Sequence, residues 1–403
     1  MPSYRSVDTD SAPSKAGQES ASKARRLAAL DVYRGLTMLL LAFTVPNWGW
    51  ELPLAEKYPW LTPLTAQVEH TAWRGLTAWD LIQPSFMFMV GVSLPYSVAS
   101  RQLRGVSEFR LWKHAATRAL LLVLLGVFLR SVGESATVWT LEDVVSQIGL
   151  GYLPLFWLAR RTPRFQRIVF ITLLGFWWAV YALWPIAAPL PAGAVRHFEG
   201  FWSHWNESVG PARLFDQWLL NLPPRTDTFT INSGGYYTLN FVPSIATMLL
   251  GVLAGQRLRE NETTDNTTGW FVQIGALLLA AGLSLDLAGA CPLVKKLWTP
   301  AFVLVSGGFC LMILGTLHAM SDLAGWRRWF MPAEVVGRNP LAMYVMTWTL
   351  AGWVLANLTT HMGAKSFEIL GETYAPMLGN LATGMVLYLI CWWMDVNRVY
   401  VRL

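Results

Sequence analysis

Ten apolar segments, each close to the length of a membrane-spanning helix, constrain the fold of this chain more than any other feature. A helix needs about 20 apolar residues to cross the roughly 30 Å hydrocarbon core of a bilayer. The composition agrees, because only 14% of the residues are charged, whereas a soluble domain carries about a quarter. The sequence therefore predicts an all-α, polytopic transmembrane helix bundle of about ten spans. The predicted spans are residues 30–48, 78–98, 115–132, 144–159, 167–186, 239–255, 270–288, 298–317, 339–358 and 377–394.

The distribution of Lys and Arg predicts the orientation of these spans. Cytoplasmic loops carry the excess of these residues in membrane proteins. With the N terminus placed inside, the cytoplasmic segments hold 21 of the 31 Lys and Arg residues and the other side holds nine. Both termini are thus predicted to be cytoplasmic. Topology also accounts for the net charge of +6, so that charge does not indicate nucleic acid as a partner.

The chain divides into a tail and one membrane domain. Residues 1–26 are rich in Ser, Ala and Lys and poor in apolar side chains, which predicts a disordered basic cytoplasmic tail. The apolar segment follows too late for this tail to be a cleavable signal peptide. Residues 27–403 hold all ten predicted spans and form the transmembrane domain.

Cysteine and histidine spacing gives no support for a metal site. The three Cys residues lack CxxC spacing, and the six His residues include no HxxxH pair. Both patterns are typical of zinc sites in proteins. No metal and no disulfide framework are therefore predicted.

The stretch from His70 to Gly91 is the first candidate for a functional site. Polar side chains, including His70 and Asp80, lie at the outer membrane boundary and pass directly into an apolar run. Ionisable groups at membrane depth are costly and are often functional. Thr77 and Asp80 have the spacing of a capping box, so Asp80 is first interpreted as a helix-capping carboxylate. The ordinary interpretation of His70 is an interfacial histidine.

Other polar residues at the span ends have structural and functional interpretations. Asn47 follows a proline that should end the first span, and it can cap a helix or bond a substrate carbonyl. Arg34 can pair with Asp31 or hold a phosphate. Lys295 is expected to extend to the membrane interface. Three further side chains are expected to bond between helices, and they are Gln147, Ser244 and Asn339.

Six blocks of sequence, in this order, resemble one known family. They read LDVYRGLTMLLL, EHTAWRGLTAWDLIQPSFMFMVG, VVSQIGLGY, NFVPSIATMLLGVLAG, KKLWTPAFVL and GRNPLAMYV. Together they are similar to the heparan-α-glucosaminide N-acetyltransferase family and its bacterial relatives of unassigned function. The element H-x-x-W-x-G-L-T-x-x-D-L is the most specific part of this resemblance.

The resemblance implies a transmembrane acyltransferase in a bacterial inner membrane. Such an enzyme takes acetyl from cytosolic acetyl-CoA and delivers it to an amino or hydroxyl group of an extracytoplasmic sugar. His70 falls on the histidine proposed to be catalytic, with Asn47 assisting and Asp80 beside it. The residues predicted to contact the coenzyme are Arg34, Gln147, Ser244, Lys295 and Asn339, and basic groups at inner helix ends such as Arg118 and Arg338 also suit its phosphates.

Several alternatives stay open at this point. A transporter or flippase for an envelope lipid or sugar also fits ten spans with a polar interior, and a non-catalytic membrane scaffold is a third reading. Within the enzyme reading, His70 is either a base or a nucleophile that carries the acetyl group. Asn47 or the N–H groups near Thr77 would stabilise the oxyanion. The sequence leaves open the acceptor, contacts with membrane lipid and the formation of a homodimer.

Overall fold

The computed structural model describes residues 27–45, 49, 51–186, 194–225, 227–260, 265–363 and 365–401, and within these ranges every regular element is helical. The predicted tail at residues 1–26 lies outside them. The α-helices are α1 (Ala28–Thr44), α2 (Leu52–Lys57), α3 (Thr62–Thr65), α4 (Ile82–Leu103), α5 (Glu108–Ser131), α6 (Val144–Leu158), α7 (Pro163–Ala182), α8 (Pro211–Leu219), α9 (Phe241–Glu260), α10 (Asp265–Leu287), α11 (Pro300–Leu317), α12 (Met331–Arg338), α13 (Pro340–Thr349), α14 (Ala351–Met362) and α15 (Ala375–Val396).

The predicted span 339–358 falls on the pair α13 and α14 and each of the other nine on one helix, which confirms the all-α, multi-pass architecture. Among the described residues, seven helices are long and apolar enough to cross a membrane, and α13 with α14 adds an eighth if the bent pair is one span. This pair bends by 60°. The first predicted span is a helix of only 17 residues, and the fourth is a helix of 15. The count of ten therefore stays a prediction.

Glycines set the packing of α4 against α9 at the centre of the bundle. A Cβ atom on Gly91 of α4 would lie 1.9 Å from the Met248 carbonyl oxygen, and one on Gly251 of α9 would lie 2.0 Å from the Phe88 carbonyl oxygen. Small residues let helix backbones approach closely where no hydrophobic effect drives helices together. This close pair packs the middle of α4 against the middle of α9.

The two ends of the bundle are defined by hydrogen bonds between distant helices. At the end that carries His70, which we call the His70 end, Asn380 of α15 donates to the Thr44 carbonyl at the end of α1 at 3.1 Å. At the other end, called the opposite end, Asp322 accepts from the backbone N–H groups of Ala28 and Ala29, each at 3.0 Å. Asp322 therefore caps α1 from a distant part of the chain.

Candidate active site at the start of helix α4

Four side chains meet before the first turn of α4 and form what we call the His70 site: His70, Trp79, Asp80 and Lys295. Asp80 Oδ1 lies 2.7 Å from His70 Nδ1 and 3.0 Å from Lys295 Nζ. Lys295 Nζ lies 3.1 Å from His70 Nδ1, and the Trp79 indole N–H donates to His70 Nε2 at 3.2 Å. Since His70 and Lys295 are 225 positions apart, the fold rather than local sequence builds this site.

Asp80 also forms the predicted capping box. Its Oδ2 accepts from the Thr77 backbone N–H at 3.3 Å, and the Asp80 backbone N–H donates to Thr77 Oγ1 at 3.3 Å. The backbone N–H and the hydroxyl of Thr71 donate to the same Oδ2, at 3.2 and 2.9 Å. One carboxylate oxygen thus organises the chain before α4, and the other bonds His70 and Lys295. The Thr77 N–H thus bonds Asp80, and an oxyanion role for the N–H groups near Thr77 stays a prediction.

The Lys295 side chain does not extend to the membrane interface as expected. It is 4% exposed, because the turn that carries it folds inward against the chain after His70. Arg74 and Val294 form an isolated antiparallel bridge, and the Gly75 N–H donates to the Leu293 carbonyl at 2.9 Å. These backbone contacts place Lys295 beside Asp80, which satisfies the charge of its ammonium group.

Hydrogen bonding indicates the protonation state of His70. The indole nitrogen of Trp79 can only donate, so His70 Nε2 accepts and carries no proton. The proton of the neutral ring then lies on Nδ1, which donates to Asp80 Oδ1. Lys295 donates to the same oxygen, so its 3.1 Å approach to Nδ1 is a contact between two donors. His70 is therefore a neutral imidazole with the lone pair on Nε2.

The surroundings of His70 favour this neutral form. Burial lowers the pKa of His70 below its ordinary value of about 6.5, and the positive charges of Lys295 and Lys296 lower it further, while Asp80 opposes the change. Burial also lowers the pKa of Lys295, and there too Asp80 opposes the change. Both effects follow from placing two basic groups beside one carboxylate, where Lys295 and Asp80 are buried and the His70 side chain is 40% exposed.

His70 and Lys295 line a cavity of about 420 Å³, a volume within the range of small-molecule sites. Aromatic side chains form much of its wall, and an ion pair between Arg130 and Glu142, at 3.5 Å, adds a second polar region. Burial raises the pKa of Tyr236, so its hydroxyl keeps its proton and can donate. The cavity can thus hold a small polar molecule beside His70. The aromatic lining residues are Trp79, Phe86, Tyr236, Tyr344 and Trp348.

Sequence reasoning missed Arg130, Glu142 and Tyr236 as parts of this cavity. Arg130 ends α5 and Glu142 precedes α6, so two opposite charges flank one short connection between predicted spans. That pattern is a signal that could have found them. Tyr236 lies in a long connecting segment, and nothing in its local sequence sets it apart from the other aromatic residues there.

The other predicted site residues are spread over both ends of the bundle. Gln147 donates to the Leu141 and Thr238 carbonyls at 2.8 and 2.9 Å. Ser244 donates to the Asn240 carbonyl, just before its own helix, at 2.7 Å, and not to another helix as expected. Both lie at the His70 end but outside the cavity lining. Asn47 lies outside the described residues, so its role stays a prediction.

Asn339 and Arg34 lie near the opposite end, away from His70. Asn339 Nδ2 donates to the Val399 carbonyl at 2.8 Å and its Oδ1 accepts from the Val401 N–H at 3.0 Å. Arg34 pairs with Asp31 at 3.5 Å. The five residues predicted to contact the coenzyme therefore do not form one cluster, and their role in coenzyme binding stays a prediction.

The described residues contain no group of three or more His, Cys, Asp or Glu side chains that could hold a metal ion. The chemistry available at the His70 site is that of an imidazole, a carboxylate and an amine. An imidazole with an oriented lone pair can act as a base or as a nucleophile.

Sequence comparison finds known proteins that this chain resembles. Over 363 residues the chain is 26% identical to a human protein, with 79% of this chain and 52% of the human protein covered. The chain resembles heparan-alpha-glucosaminide N-acetyltransferase. The mouse protein of the same name is 25% identical over 392 residues, with 84% of this chain and 57% of the mouse protein covered. These matches confirm the resemblance predicted from the six sequence blocks.

The two relatives inform the function of this chain only as far as the chain covers them. The chain spans about half the length of the curated relatives that it matches. No protein-family model matches the chain. The comparisons and the apolar helices together support a multi-pass membrane protein similar to acetyltransferases. The activity of this chain itself is a proposal.

Proposed function

We propose that this chain is a transmembrane acetyltransferase that moves an acetyl group from acetyl-CoA to an amino or hydroxyl group of a sugar or glycoconjugate. The observation that carries this proposal is the neutral His70 at the wall of the cavity, with Nδ1 bonded to Asp80 and the lone pair on Nε2. The similarity to two proteins named as N-acetyltransferases supports the same reaction class. The proposal includes a cytosolic coenzyme, an extracytoplasmic acceptor and a bacterial inner membrane.

In the direct form of this reaction, His70 acts as a general base. Nε2 takes a proton from the amine or hydroxyl of the acceptor while that nitrogen or oxygen bonds to the thioester carbonyl carbon. The C–S bond breaks, and His70 returns the proton to the departing thiolate. Trp79 must release Nε2 during this step. Asp80 retains the Nδ1–H bond and stabilises the transient imidazolium, as a carboxylate does in hydrolase triads.

In the two-step form, His70 acts as the nucleophile. Nε2 bonds to the thioester carbonyl carbon, the C–S bond breaks, and the acetyl group is carried on the ring. The acceptor nitrogen or oxygen then attacks this carbonyl carbon, the bond to Nε2 breaks, and the acceptor's proton passes through solvent to the released thiolate of the coenzyme. Both forms use the same Nδ1–H bond to Asp80. A cavity beside His70 that admits only part of a large coenzyme suits either form, because only the acetyl end must reach the ring.

The test is transfer by purified protein given labelled acetyl-CoA and glucosamine. We expect labelled product from the wild type and a loss of about 10²- to 10⁴-fold in His70→Ala, the contribution typical of a general acid–base residue. His361→Ala is the matched control, because His361 is an exposed histidine on α14 outside the cavity lining. Coenzyme binding, measured by equilibrium dialysis, should persist in His70→Ala.

Two outcomes would contradict the proposal. Wild-type protein that neither binds nor consumes acetyl-CoA would favour the transporter or flippase reading, and vesicles loaded with labelled sugar or lipid would then test that reading. Equal turnover by wild type and His70→Ala would remove His70 from the reaction. Intact mass after incubation with acetyl-CoA alone separates the two chemical forms, because only the two-step form leaves the acetyl group on the protein.

A further inference from the structure

Lys295 is a buried cation in direct contact with the imidazole that the proposed reaction needs as a base or nucleophile. Its side chain is 4% exposed and that of Asp80 is 1% exposed. A positive charge close to an imidazole opposes its protonation, whereas a carboxylate in contact with the ring favours it. A lysine 3.1 Å from Nδ1 therefore has a consequence for the chemistry of His70 beyond neutralising Asp80.

Resting on the proposed function, we propose that Lys295 is a positioning residue that holds His70 in its neutral, Nδ1-protonated form. Nε2 then stays unprotonated, and so competent to take a proton or attack a thioester, in mildly acidic as well as neutral solution. The substrate does not need to touch Lys295 for this effect. It acts through Asp80 and through its own charge.

Asp80 presents one oxygen to both His70 and Lys295. His70 Nδ1 and Lys295 Nζ both bond Oδ1, at 2.7 and 3.0 Å. Because the ammonium occupies one side of this oxygen, the Nδ1–H of His70 has a single direction in which to donate. This arrangement holds the ring plane and the tautomer, and it directs Nε2 toward Trp79 and the cavity wall.

The positive charge of Lys295 also opposes a second proton on His70. A second proton on His70 would place two cations 3.1 Å apart against one carboxylate, and although the His70 side chain is 40% exposed, those of Lys295 and Asp80 are only 4% and 1% exposed. The second lysine, Lys296, adds to this repulsion. Its ammonium lies 5.6 Å from the centre of the Trp73 ring and 6.0 Å from that of Tyr236.

The other ionisable groups around His70 leave this balance in place. Glu69 precedes His70 in the chain, and Tyr236 enters the cavity from the segment before α9. The other charged residues of the cavity lining are Arg130 and Glu142, which pair at 3.5 Å, and Asp143, whose Oδ1 accepts from the Val145 and Ser146 N–H groups. Asp80 bonds the ring at 2.7 Å, and Lys295 shares this carboxylate.

A purely structural role is the alternative, in which Lys295 only ties its turn to the start of α4. The two roles differ in what they predict for the protonation of His70. If Lys295 only ties the turn, its replacement changes stability and leaves the titration of His70 where it was. If Lys295 sets the state of His70, replacement by a neutral side chain of similar length raises the pKa of His70. Replacement by arginine, which keeps the charge, leaves that pKa close to the wild-type value.

The experiment measures the rate of His70 modification by diethyl pyrocarbonate against pH, read by mass spectrometry of the peptide that contains His70. This reagent attacks neutral imidazole, and the assay needs no acetyl-CoA, so its result is separate from that of the transfer assay. In Lys295→Met we expect the midpoint to rise by about one pH unit, equal to about 1.4 kcal/mol. The matched controls are Lys295→Arg and Lys113→Met, the latter an exposed lysine on α5, and both should keep the wild-type midpoint.

The outcomes decide between the two roles. An unchanged midpoint in a folded Lys295→Met protein would overturn the proposal and leave the structural role. If that variant does not fold, the wild type still decides, because a wild-type midpoint at or above about 6.5, the ordinary histidine value, would also overturn it. Where transfer is measurable, the acidic limb of the pH–rate profile should move upward with the same variant, and a limb that stays in place would contradict the proposal.

Discussion

Both ends of the bundle contain an ion pair between a basic side chain and a carboxylate, but the pair at the His70 end is more deeply buried. At the His70 end, the Lys295 and Asp80 side chains are 4% and 1% exposed. At the opposite end, Arg338 bonds Glu334 at 2.6 Å and Asp395 at 2.7 Å, and its side chain is 29% exposed. Water screens the Arg338 pairs, whereas it scarcely reaches Lys295. Identical charges therefore have different consequences at the two ends.

The two sets of charges have different roles. Arg338 of α12 reaches Asp395 of α15 and so joins two helices at a partly hydrated surface. An ion pair of this kind contributes about 0–1 kcal/mol. A buried pair costs several kcal/mol in desolvation per ion, and hydrophobic residues of equal volume are often as stable. Stability alone is thus a weak reason for the Lys295–Asp80 pair, and its contact with His70 supplies a chemical one.

Breaking the buried Lys295–Asp80 pair should reduce the free energy of unfolding more than any other change proposed here. Asp80→Asn leaves the Lys295 cation without its carboxylate and removes the partner of His70 Nδ1. Loss of one member of a buried pair costs about 3–5 kcal/mol, and we expect a decrease of this size in the free energy of unfolding, measured by denaturant titration in detergent micelles. The proposed transfer should fall as well.

The double variant Asp80→Asn with Lys295→Met is the control for that experiment. It removes both charges, so it should recover part of the lost stability while His70 still lacks its carboxylate. A single variant that loses less than about 1 kcal/mol would behave like an exposed pair. That result would contradict the contrast between the two ends.

The pH dependence of His70 gives the next prediction. Since burial first, and then the nearby lysines, lower the pKa of His70, the base form persists below the ordinary value of about 6.5. The acidic limb of the proposed transfer should therefore lie below pH 6.5, as measured by initial rates across pH 4.5–8 in the range where such a limb is expected. A limb above 6.5 would show that the charges at this end favour the imidazolium.

The lowered pKa of His70 also predicts how the stability of the protein changes with pH. Below about pH 6.5 the unfolded chain binds a proton at His70, whereas the folded chain does so only at lower pH. Unfolding therefore takes up a proton in this window, and the contribution of His70 to stability decreases as the pH falls. Denaturant titrations of wild type and His70→Ala at pH 7.5 and 5.5 check this sign, because the variant should lose less stability on acidification. An equal loss in both proteins would place the acid-sensitive group elsewhere.

Local patterns in the sequence predicted what depends on near neighbours. The apolar runs are helical because a helix satisfies its own backbone hydrogen bonds in lipid. The capping box at Thr77 and Asp80 was readable because its two members are three positions apart. The break at Leu350 between α13 and α14 was not predicted, since the residues on both sides remain apolar.

The contacts that make His70 distinctive depend on distant parts of the chain. Lys295 approaches His70 only because the Arg74–Val294 bridge draws its turn inward. Nothing in the sequence near Lys295 distinguishes it from Lys296, whose side chain lies over the rings of Trp73 and Tyr236 instead. The extension of Lys295 to the membrane interface was therefore the wrong expectation, and its place beside Asp80 required the folded structure.

At the opposite end, loss of the Arg338 ion pairs should change the free energy of unfolding least. Arg338→Gln removes the bonds to Glu334 and Asp395, and we expect a loss of about 0–1 kcal/mol in the free energy of unfolding, because water solvates the two carboxylates that remain. The midpoint of His70 modification should not change, since Arg338 lies outside the cavity lining. If Arg338→Gln lost as much stability as Asp80→Asn, burial would not be what separates the two ends, and the shared contact with His70 would no longer be needed to explain the Lys295–Asp80 pair.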